Sequence, residues 1–181
     1  MNTFVIADPA KCIGCYSCEV ACAFVHSSGE ETLSAAQFAP RLTVVRTAKV
    51  GVPVQCHQCE DAPCAAVCST GAISFVNDHV QVNQKRCIGC KYCMIACPYG
   101  AMGIVAIERM VREGTGANER TVRVRKFEAL KCDLCNTLSE GPACIRVCPT
   151  KALRKVDPEA VAKEIKKRKV IAAEEMALRG H

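Results

Sequence analysis

Sixteen cysteines, gathered into four runs, constrain this 181-residue chain more than anything else in it. Cys87 to Pro98 reads Cys-Ile-Gly-Cys-Lys-Tyr-Cys-Met-Ile-Ala-Cys-Pro, a spacing of Cys-x2-Cys-x2-Cys-x3-Cys. Cys12, Cys15, Cys18 and Cys22 repeat that spacing and again open with Cys-Ile-Gly-Cys. Cys56, Cys59, Cys64 and Cys68 carry four residues in the middle gap, and Cys132, Cys135, Cys144 and Cys148 carry eight. Every set ends in Cys-x3-Cys, and no cysteine is left over. A spacer that grows only in its middle gap marks a surface loop that tolerates insertion.

The spacing has a chemical reading. Two-residue spacers let one tight loop wrap three sides of an iron–sulfur cubane, and Gly89 supplies the φ freedom that loop needs. This is the run used by bacterial ferredoxins for 4Fe–4S clusters, where the fourth cysteine ligates the other cluster of a pair. Cys93 and Cys97 are one helical turn apart, which predicts a short helix projecting both thiols from one face. Such a helix sits between two clusters and holds one with each end.

Two other uses of cysteine fit less well. Disulfide frameworks have irregular spacings, and Met1 to Asp8 has neither a basic n-region nor a long apolar h-region. Zinc knuckles come in twos, so a third cysteine two residues on has no role at a tetrahedral zinc. A structural zinc scaffold, or an accessory maturation protein, is therefore the alternative from outside electron transfer.

The formal charge of +6 does not argue for nucleic acid. A 4Fe–4S core with four thiolates carries roughly two negative charges, so four of them bring about −8 and leave the holoprotein near −2. No stretch approaches the ~18 apolar residues of a membrane span, and the expectation is a cytoplasmic protein without a transmembrane segment.

Along the chain, Phe4-Val5-Ile6 reads as a short strand closed by Asp8-Pro9. His26 to Gln37 is polar and irregular, and Leu42 to Val45 and Val50 to Val54 are strands or extended connectors. Ala72 to Phe75, a turn at Asn77-Asp78 and Val80 to Val82 predict a hairpin leading into Cys87. Ile104 to Met110 and Thr121 to Phe127 predict a hairpin arm. From Arg109 to Lys126 it holds six basic and two acidic residues, a net of +4, as a solvated loop or a docking surface. Ala152 to Val156 closes the chain with a strand, and a helix follows with Asp157 as N-cap, Pro158 first and Gly180 at the stop.

Internal repetition is visible as well. Cys12 to Cys22 recurs at Cys87 to Cys97 after 75 residues, and Cys56-x2-Cys59 recurs at Cys132-x2-Cys135 after 76. The chain therefore reads as an α+β protein, a duplicated ferredoxin-like fold built around four 4Fe–4S clusters with a C-terminal helix. The expected division is 1–34 plus 128–156 for one cluster pair, 50–103 for the other, 104–127 for the arm and 157–181 for the helix. With no Trp and few aromatics, an apolar core able to fold alone is not expected. Cluster binding is then folding energy, and the apo form is expected to be largely unfolded.

The order of the four sets, the stretch Cys56-x2-Cys59-Glu60-Asp61-Ala62-Pro63-Cys64, Cys132-Asp133-Leu134-Cys135 and Gly141-Pro142-Ala143-Cys144 resemble the four-cluster electron-transfer subunits of the DMSO-reductase family. The opening Phe4-Val5-Ile6-Ala7-Asp8 before Lys11-Cys12-Ile13-Gly14-Cys15 is similar to the small iron–sulfur subunits of formate hydrogenlyase and related formate dehydrogenase–hydrogenase complexes. The resemblance spans roughly residues 3 to 156. It departs at Ala23 and Ser69, where Pro often follows the last cysteine of a set, and it lacks the membrane-anchoring helix of some relatives.

The resemblance implies that the first set pairs with the fourth and the second with the third. Cluster 1 would then be held by Cys12, Cys15, Cys18 and Cys148. Cluster 2 would use Cys22, Cys132, Cys135 and Cys144. Cluster 3 would use Cys56, Cys59, Cys64 and Cys97, and cluster 4 Cys68, Cys87, Cys90 and Cys93. It also implies an electron-transfer (polyferredoxin) subunit without a substrate site, relaying electrons between a molybdenum or tungsten formate dehydrogenase and a hydrogenase or another iron–sulfur subunit. Another reductase or a CO dehydrogenase system is the alternative partner.

Other residues read as supporting ones. His57 is a polar neighbour rather than a ligand, since a Rieske site needs two His in place of two Cys. Tyr99 packs over a cluster. Lys91 and Lys131 lie beside ligands and either tune potentials or sit at the surface. No Ser/His/Asp set, P-loop, Rossmann fingerprint or Cys-x3-Cys-x2-Cys run occurs. Val161, Ile165, Ala172 and Met176 could line one face of the last helix, interrupted by Lys166 to Lys169, for assembly with a neighbouring subunit or for packing on its own domain.

Overall fold

The computed structural model of the chain describes residues 2–27, 38–114 and 120–179. In chain order its elements are β1 (Phe4–Ala7), α1 (Ser17–Val25), β2 (Leu42–Arg46), β3 (Gly51–Gln55), α2 (Pro63–Ala66), β4 (Ile73–Val76), β5 (His79–Val82), α3 (Tyr92–Ala96), β6 (Gly103–Glu113), β7 (Arg120–Leu130), α4 (Ala143–Arg146), β8 (Leu153–Val156) and α5 (Pro158–Arg179). Mixed short helices and strands of this kind are the ferredoxin-like layout.

The strands pair only two by two, always antiparallel. β1 meets β8 with Phe4 opposite Val156 and Ala7 opposite Leu153, so the first and last strands of the cysteine-bearing region close on each other. β2 pairs with β3, β4 with β5 and β6 with β7. The β4–β5 hairpin turns through Asn77 and Asp78 at φ 49 and 62, the paired left-handed conformation that two-residue hairpin loops require and that Asn and Asp tolerate. β2 and β3, which the sequence left open between strands and connectors, form a ribbon from Leu42–Gln55 to Arg46–Gly51.

Two small cores sit between these ribbons. One gathers Val5, Leu42, Val44, Leu134 and Leu153 around Cys18, Cys22 and Cys144. The other gathers Ala62, Ile73, Val80, Met102 and Ala129 around Cys64 and Cys93. Cysteine is thus a core residue in both, and the apolar side chains that accompany it are few and mostly aliphatic.

Three of the four short helices end before their closing cysteine: α2 stops at Ala66 although Ser69 follows Cys68, and α3 and α4 stop before Cys97 and Cys148. Cys97 and Cys148 precede prolines, which disfavour the helical conformation in the residue before them, and α3 and α4 stop short of those cysteines. Cys97 leaves α3 extended, at φ −77 and ψ 113, so it does not share a helical face with Cys93 as the spacing suggested. Cys22 is followed by Ala23, and α1 runs on through it to Val25.

Asp157 caps α5: its Oδ1 accepts from the Glu159 N–H at 2.8 Å, and its carbonyl from the Val161 N–H at 3.1 Å. The Gly180 stop lies outside the described residues, as does most of the irregular stretch after His26. Beyond Val161, which is half-buried, the apolar side chains of α5 are uncovered. Ile165, Val170, Ile171, Met176 and Leu178 are all exposed, the last at 87%.

Candidate iron–sulfur sites

The two Cys-Ile-Gly-Cys loops have the same backbone. Gly14 and Gly89 lie at φ 64 and 69, and Tyr16 and Lys91, the residues that lead into α1 and α3, lie at φ 63 and 71. At Gly89 a side chain would also have no room, because a Cβ would stand 2.9 Å from the Phe127 carbonyl oxygen. Gln58 and Leu134, 76 residues apart, share the left-handed conformation at φ 51 and 60. The loops thus curl so that successive thiols turn toward one point.

Three hollows lie at those points. Cys87, Cys90 and Cys93 line one together with Cys68. Cys56, Cys59 and Cys64 line a second together with Cys97. Cys12, Cys15 and Cys18 line a third together with Cys148. The remaining four, Cys22, Cys132, Cys135 and Cys144, lie close to one another and also to Cys18 of the third hollow. In each of the three hollows, one run supplies three thiols and the last cysteine of another run supplies the fourth.

Donors are aimed at the sulfurs. The Arg41 N–H points at Cys22 Sγ (3.2 Å), the Gln58 N–H at Cys56 Sγ (3.4 Å) and the Ala152 N–H at Cys148 Sγ (3.2 Å). At Cys15 the thiol itself donates, to Ser17 Oγ at 3.3 Å. Backbone donors around thiols suit thiolate ligands of an iron–sulfur cluster, so the residues present fit that group. Burial works the other way in the free chain. It pushes Cys132 up to about 12 and Cys18 and Cys64 up to about 11, and it raises Cys144 too. At the rim, the Ser17 hydroxyl lowers Cys15, and backbone N–H groups and Thr150 outweigh burial to lower Cys148. Metal ligation takes thiolates, so iron must draw the protons off the buried thiols.

Several supporting residues were invisible in the spacing. His26, the residue that closes α1, places Nδ1 2.7 Å from the Cys22 carbonyl and Nε2 3.1 Å from Asp133 Oδ1. Burial alone would lower His26, but the bonds to Asp133 and Cys22 raise it to about 9. Asp133 also pairs with Arg41, and these two neighbours hold its carboxyl well below the usual range against the effect of burial. His57 stacks on Tyr99 with centroids 3.9 Å apart and on Phe4 at 6.5 Å, so it is an aromatic neighbour of the second hollow. Lys91 lies over the Phe127 ring at 5.6 Å. Lys131 is not at the surface. It is 3% exposed and hydrogen bonded to Gln58, Val80 and Cys132. Nothing in the local sequence distinguishes a buried lysine from an exposed one; its partners are far along the chain.

Known proteins are similar to this chain in sequence. A family model for the 4Fe-4S dicluster domain matches residues 86–153, which contain the second Cys-Ile-Gly-Cys run and the last cysteine set. The electron transport protein HydN of Escherichia coli is 50% identical over 159 residues, covering 87% of this chain and 89% of HydN. The chain belongs to the HydN family of iron–sulfur electron transport proteins. Within that family, the putative electron transport protein YsaA of Escherichia coli is 47% identical, with 89% of this chain and 94% of YsaA covered. Hydrogenase-4 component A of Escherichia coli is 36% identical, with 96% and 91% covered. The HydN-family chain described here is therefore an iron–sulfur electron-transfer protein that uses clusters of the 4Fe–4S type. Among its described residues no helix is long and apolar enough to cross a membrane.

Proposed function

We propose that this protein relays electrons through four 4Fe–4S clusters, between a catalytic subunit and a second redox partner, and has no substrate site of its own. Cys12, Cys15, Cys18 and Cys148 hold cluster 1. Cys22, Cys132, Cys135 and Cys144 hold cluster 2. Cys56, Cys59, Cys64 and Cys97 hold cluster 3, and Cys68, Cys87, Cys90 and Cys93 hold cluster 4. When bound, each cluster accepts and gives up one electron at a time. The observation that carries this reading is the reciprocal exchange of cysteines between the hollows. Cys68 lines the space of Cys87, Cys90 and Cys93, while Cys97 lines that of Cys56, Cys59 and Cys64.

The exchange orders the sites. α1 carries Cys18 and Cys22 and α4 carries Cys144 with Cys148 just beyond, so two helices join cluster 1 to cluster 2. α2 and α3 join cluster 3 to cluster 4 in the same way. The fold is then a duplicated ferredoxin, one pair in 1–34 plus 128–156 and the other in 50–103, with 104–127 as an arm and 157–181 as an appended helix. Cys15 and Cys90, the two exposed cysteines, belong to the two end sites, beside Ile13 and Ile88 at 63% and 66% exposed. Electrons enter at one end and leave at the other.

The partners fitting this reading are a molybdenum or tungsten formate dehydrogenase and a hydrogenase, with another reductase or a CO dehydrogenase system as the alternative. The similarity to hydrogenase-4 component A favours the hydrogenase side. A cytoplasmic setting keeps the clusters reduced and intact.

The test is anaerobic purification with metal analysis. About sixteen irons with matching sulfide per chain, and copurification with a molybdenum- or tungsten-containing subunit, are expected. About four zincs instead would replace the relay with a scaffold.

A further inference from the structure

The two helix-bridged pairs leave one gap unexplained. Clusters 1 and 2 share α1 and α4, and clusters 3 and 4 share α2 and α3, but no helix carries ligands of both cluster 2 and cluster 3. Across that gap run Gln58 and Lys131. Gln58 lies between the ligands Cys56 and Cys59, and Lys131 immediately precedes the ligand Cys132.

Gln58 is 1% exposed and joins both sides. Its backbone N–H points at Cys56 Sγ, 3.4 Å away, while its side-chain Nε2 donates to the Cys132 carbonyl at 2.7 Å. A chain of covalent and hydrogen bonds thus runs from a cluster 3 ligand to the backbone of a cluster 2 ligand. Its Oε1 accepts from the Val80 N–H at 2.9 Å and from Lys131 Nζ at 3.0 Å.

Lys131 is the only buried Lys or Arg among the described residues. Its Nζ meets three oxygens: Gln58 Oε1, the Cys132 carbonyl at 2.8 Å and the Val80 carbonyl. An ammonium has three donors and no acceptor, so three oxygens suit its charged form. No carboxylate is among these three partners. The ammonium thus sits against the backbone of the cluster 2 ligand Cys132 and, through Gln58, beside the loop that carries the cluster 3 ligands Cys56 and Cys59.

Given the four-cluster reading above, we propose that Lys131, held in place by Gln58, is the electrostatic junction between the two halves of the relay and raises the reduction potentials of clusters 2 and 3 together. Reduction adds one negative charge to a cluster, and a buried positive charge stabilises the reduced form of each neighbour it reaches. Because one charge acts on both inner sites, it raises them in step and leaves the difference between them, which drives the crossing, unchanged. Lys131 and Gln58 are positioning residues. They neither ligate iron nor exchange electrons.

The experiment is an electron paramagnetic resonance potentiometric titration of the intact, anaerobically purified protein, with iron counted in each sample. Lys131→Met keeps the length of the side chain and removes the charge. It is expected to move two of the four midpoints at least 59 mV negative, a tenfold change in a one-electron equilibrium, and to leave the other two in place. Lys131→Arg is expected to restore the inner pair. Should Lys131→Met fail to hold its iron, Gln58→Glu carries the same expectation, because a carboxylate at Oε1 offsets the ammonium. Unmoved midpoints in a variant with a full iron complement, or a shift confined to the other two clusters, would overturn the junction. A count well below sixteen irons in the unaltered protein would instead overturn the four-cluster reading beneath it.

Discussion

Cys93 and Cys97 stand one helical turn apart and face different hollows. Cys93 begins in α3 among Cys68, Cys87 and Cys90, while Cys97 turns out of the helix in an extended conformation and joins Cys56, Cys59 and Cys64. Proline at 98 causes the turn, since it disfavours helix in the residue before it. Cys148 likewise lies beyond the end of α4, which carries Cys144, and lines the hollow of Cys12, Cys15 and Cys18.

Replacing Cys148 therefore acts at a distance along the chain. Cys148→Ser is expected to disturb the cluster of Cys12, Cys15 and Cys18, whose hollow it lines, and to spare that of Cys132, Cys135 and Cys144. Mössbauer or paramagnetic resonance spectra of the variant decide between the two. Damage confined to the fourth set's own cluster would refute crossed ligation.

Gly89→Ala meets both a positive φ of 69 and the Phe127 backbone. The left-handed conformation costs a residue with a Cβ about 1–2 kcal/mol, and overpacking adds about 1–3 kcal/mol. Gly100, at φ 61, has nothing within 4 Å of its missing Cβ, so Gly100→Ala is expected to cost only the first amount. Urea titrations following the visible absorbance of the clusters compare the pair. Equal losses would show that the Phe127 contact does not matter.

Asp133 holds Arg41 and His26 beside the Cys22 sulfur. Both members of the Arg41–Asp133 pair are only partly solvated, at 20% and 23% exposure, and Arg41 Nε already lacks a partner among the described residues. Asp133→Asn is expected to destabilise the protein by about 1–3 kcal/mol. Iron should be lost first from the site of Cys22, Cys132, Cys135 and Cys144. A midpoint in urea within error of the parent protein would remove the pair from the account of stability.

Ending the chain at Val156 removes α5, whose apolar side chains beyond Val161 are exposed. Iron content and the visible spectrum are expected to be unchanged, with stability altered by no more than about 0.5 kcal/mol. The size of the complex on a sizing column is expected to fall. Lost iron would show that α5 belongs to the fold, and unchanged complex size that it does not serve assembly.

Stripping iron with a chelator under reducing conditions is expected to abolish the cooperative transition in circular dichroism, because each core is built on cysteines and a handful of aliphatic residues. A cooperative melt of the iron-free chain would show that the apolar residues suffice.

The cysteine sets, the β4–β5 hairpin, the long arm of β6 and β7 and the capped start of α5 were all legible, because each rests on local chemistry. Spacing, an Asn-Asp turn and an Asp-Pro cap need nothing from elsewhere in the chain. Gln58, Lys131, His26 and Asp133 were not legible as a network. Their contacts join positions 73 or 107 residues apart, and a side chain's distant partner leaves no periodic trace around it. The early end of α3 was readable in principle from Pro98, but the four-residue spacing of Cys93 and Cys97 pointed to a shared face instead.

β1 pairs with β8, and this sets an order of manufacture. Phe4 leaves the ribosome early, while its partner Val156 emerges only after all four cysteine sets have been made. The hollows shared by the second and third sets draw on nothing later than Ala129, so a nascent chain can finish them while the first loop still waits, open, for Cys148. Ribosome-bound chains arrested with Leu130 exposed should accordingly load iron at Cys56 to Cys97 and none stably at Cys12 to Cys22. Of the four cysteine sets, the one made before the others is sealed after them, which leaves it longest in the care of whatever delivers iron and keeps oxygen away.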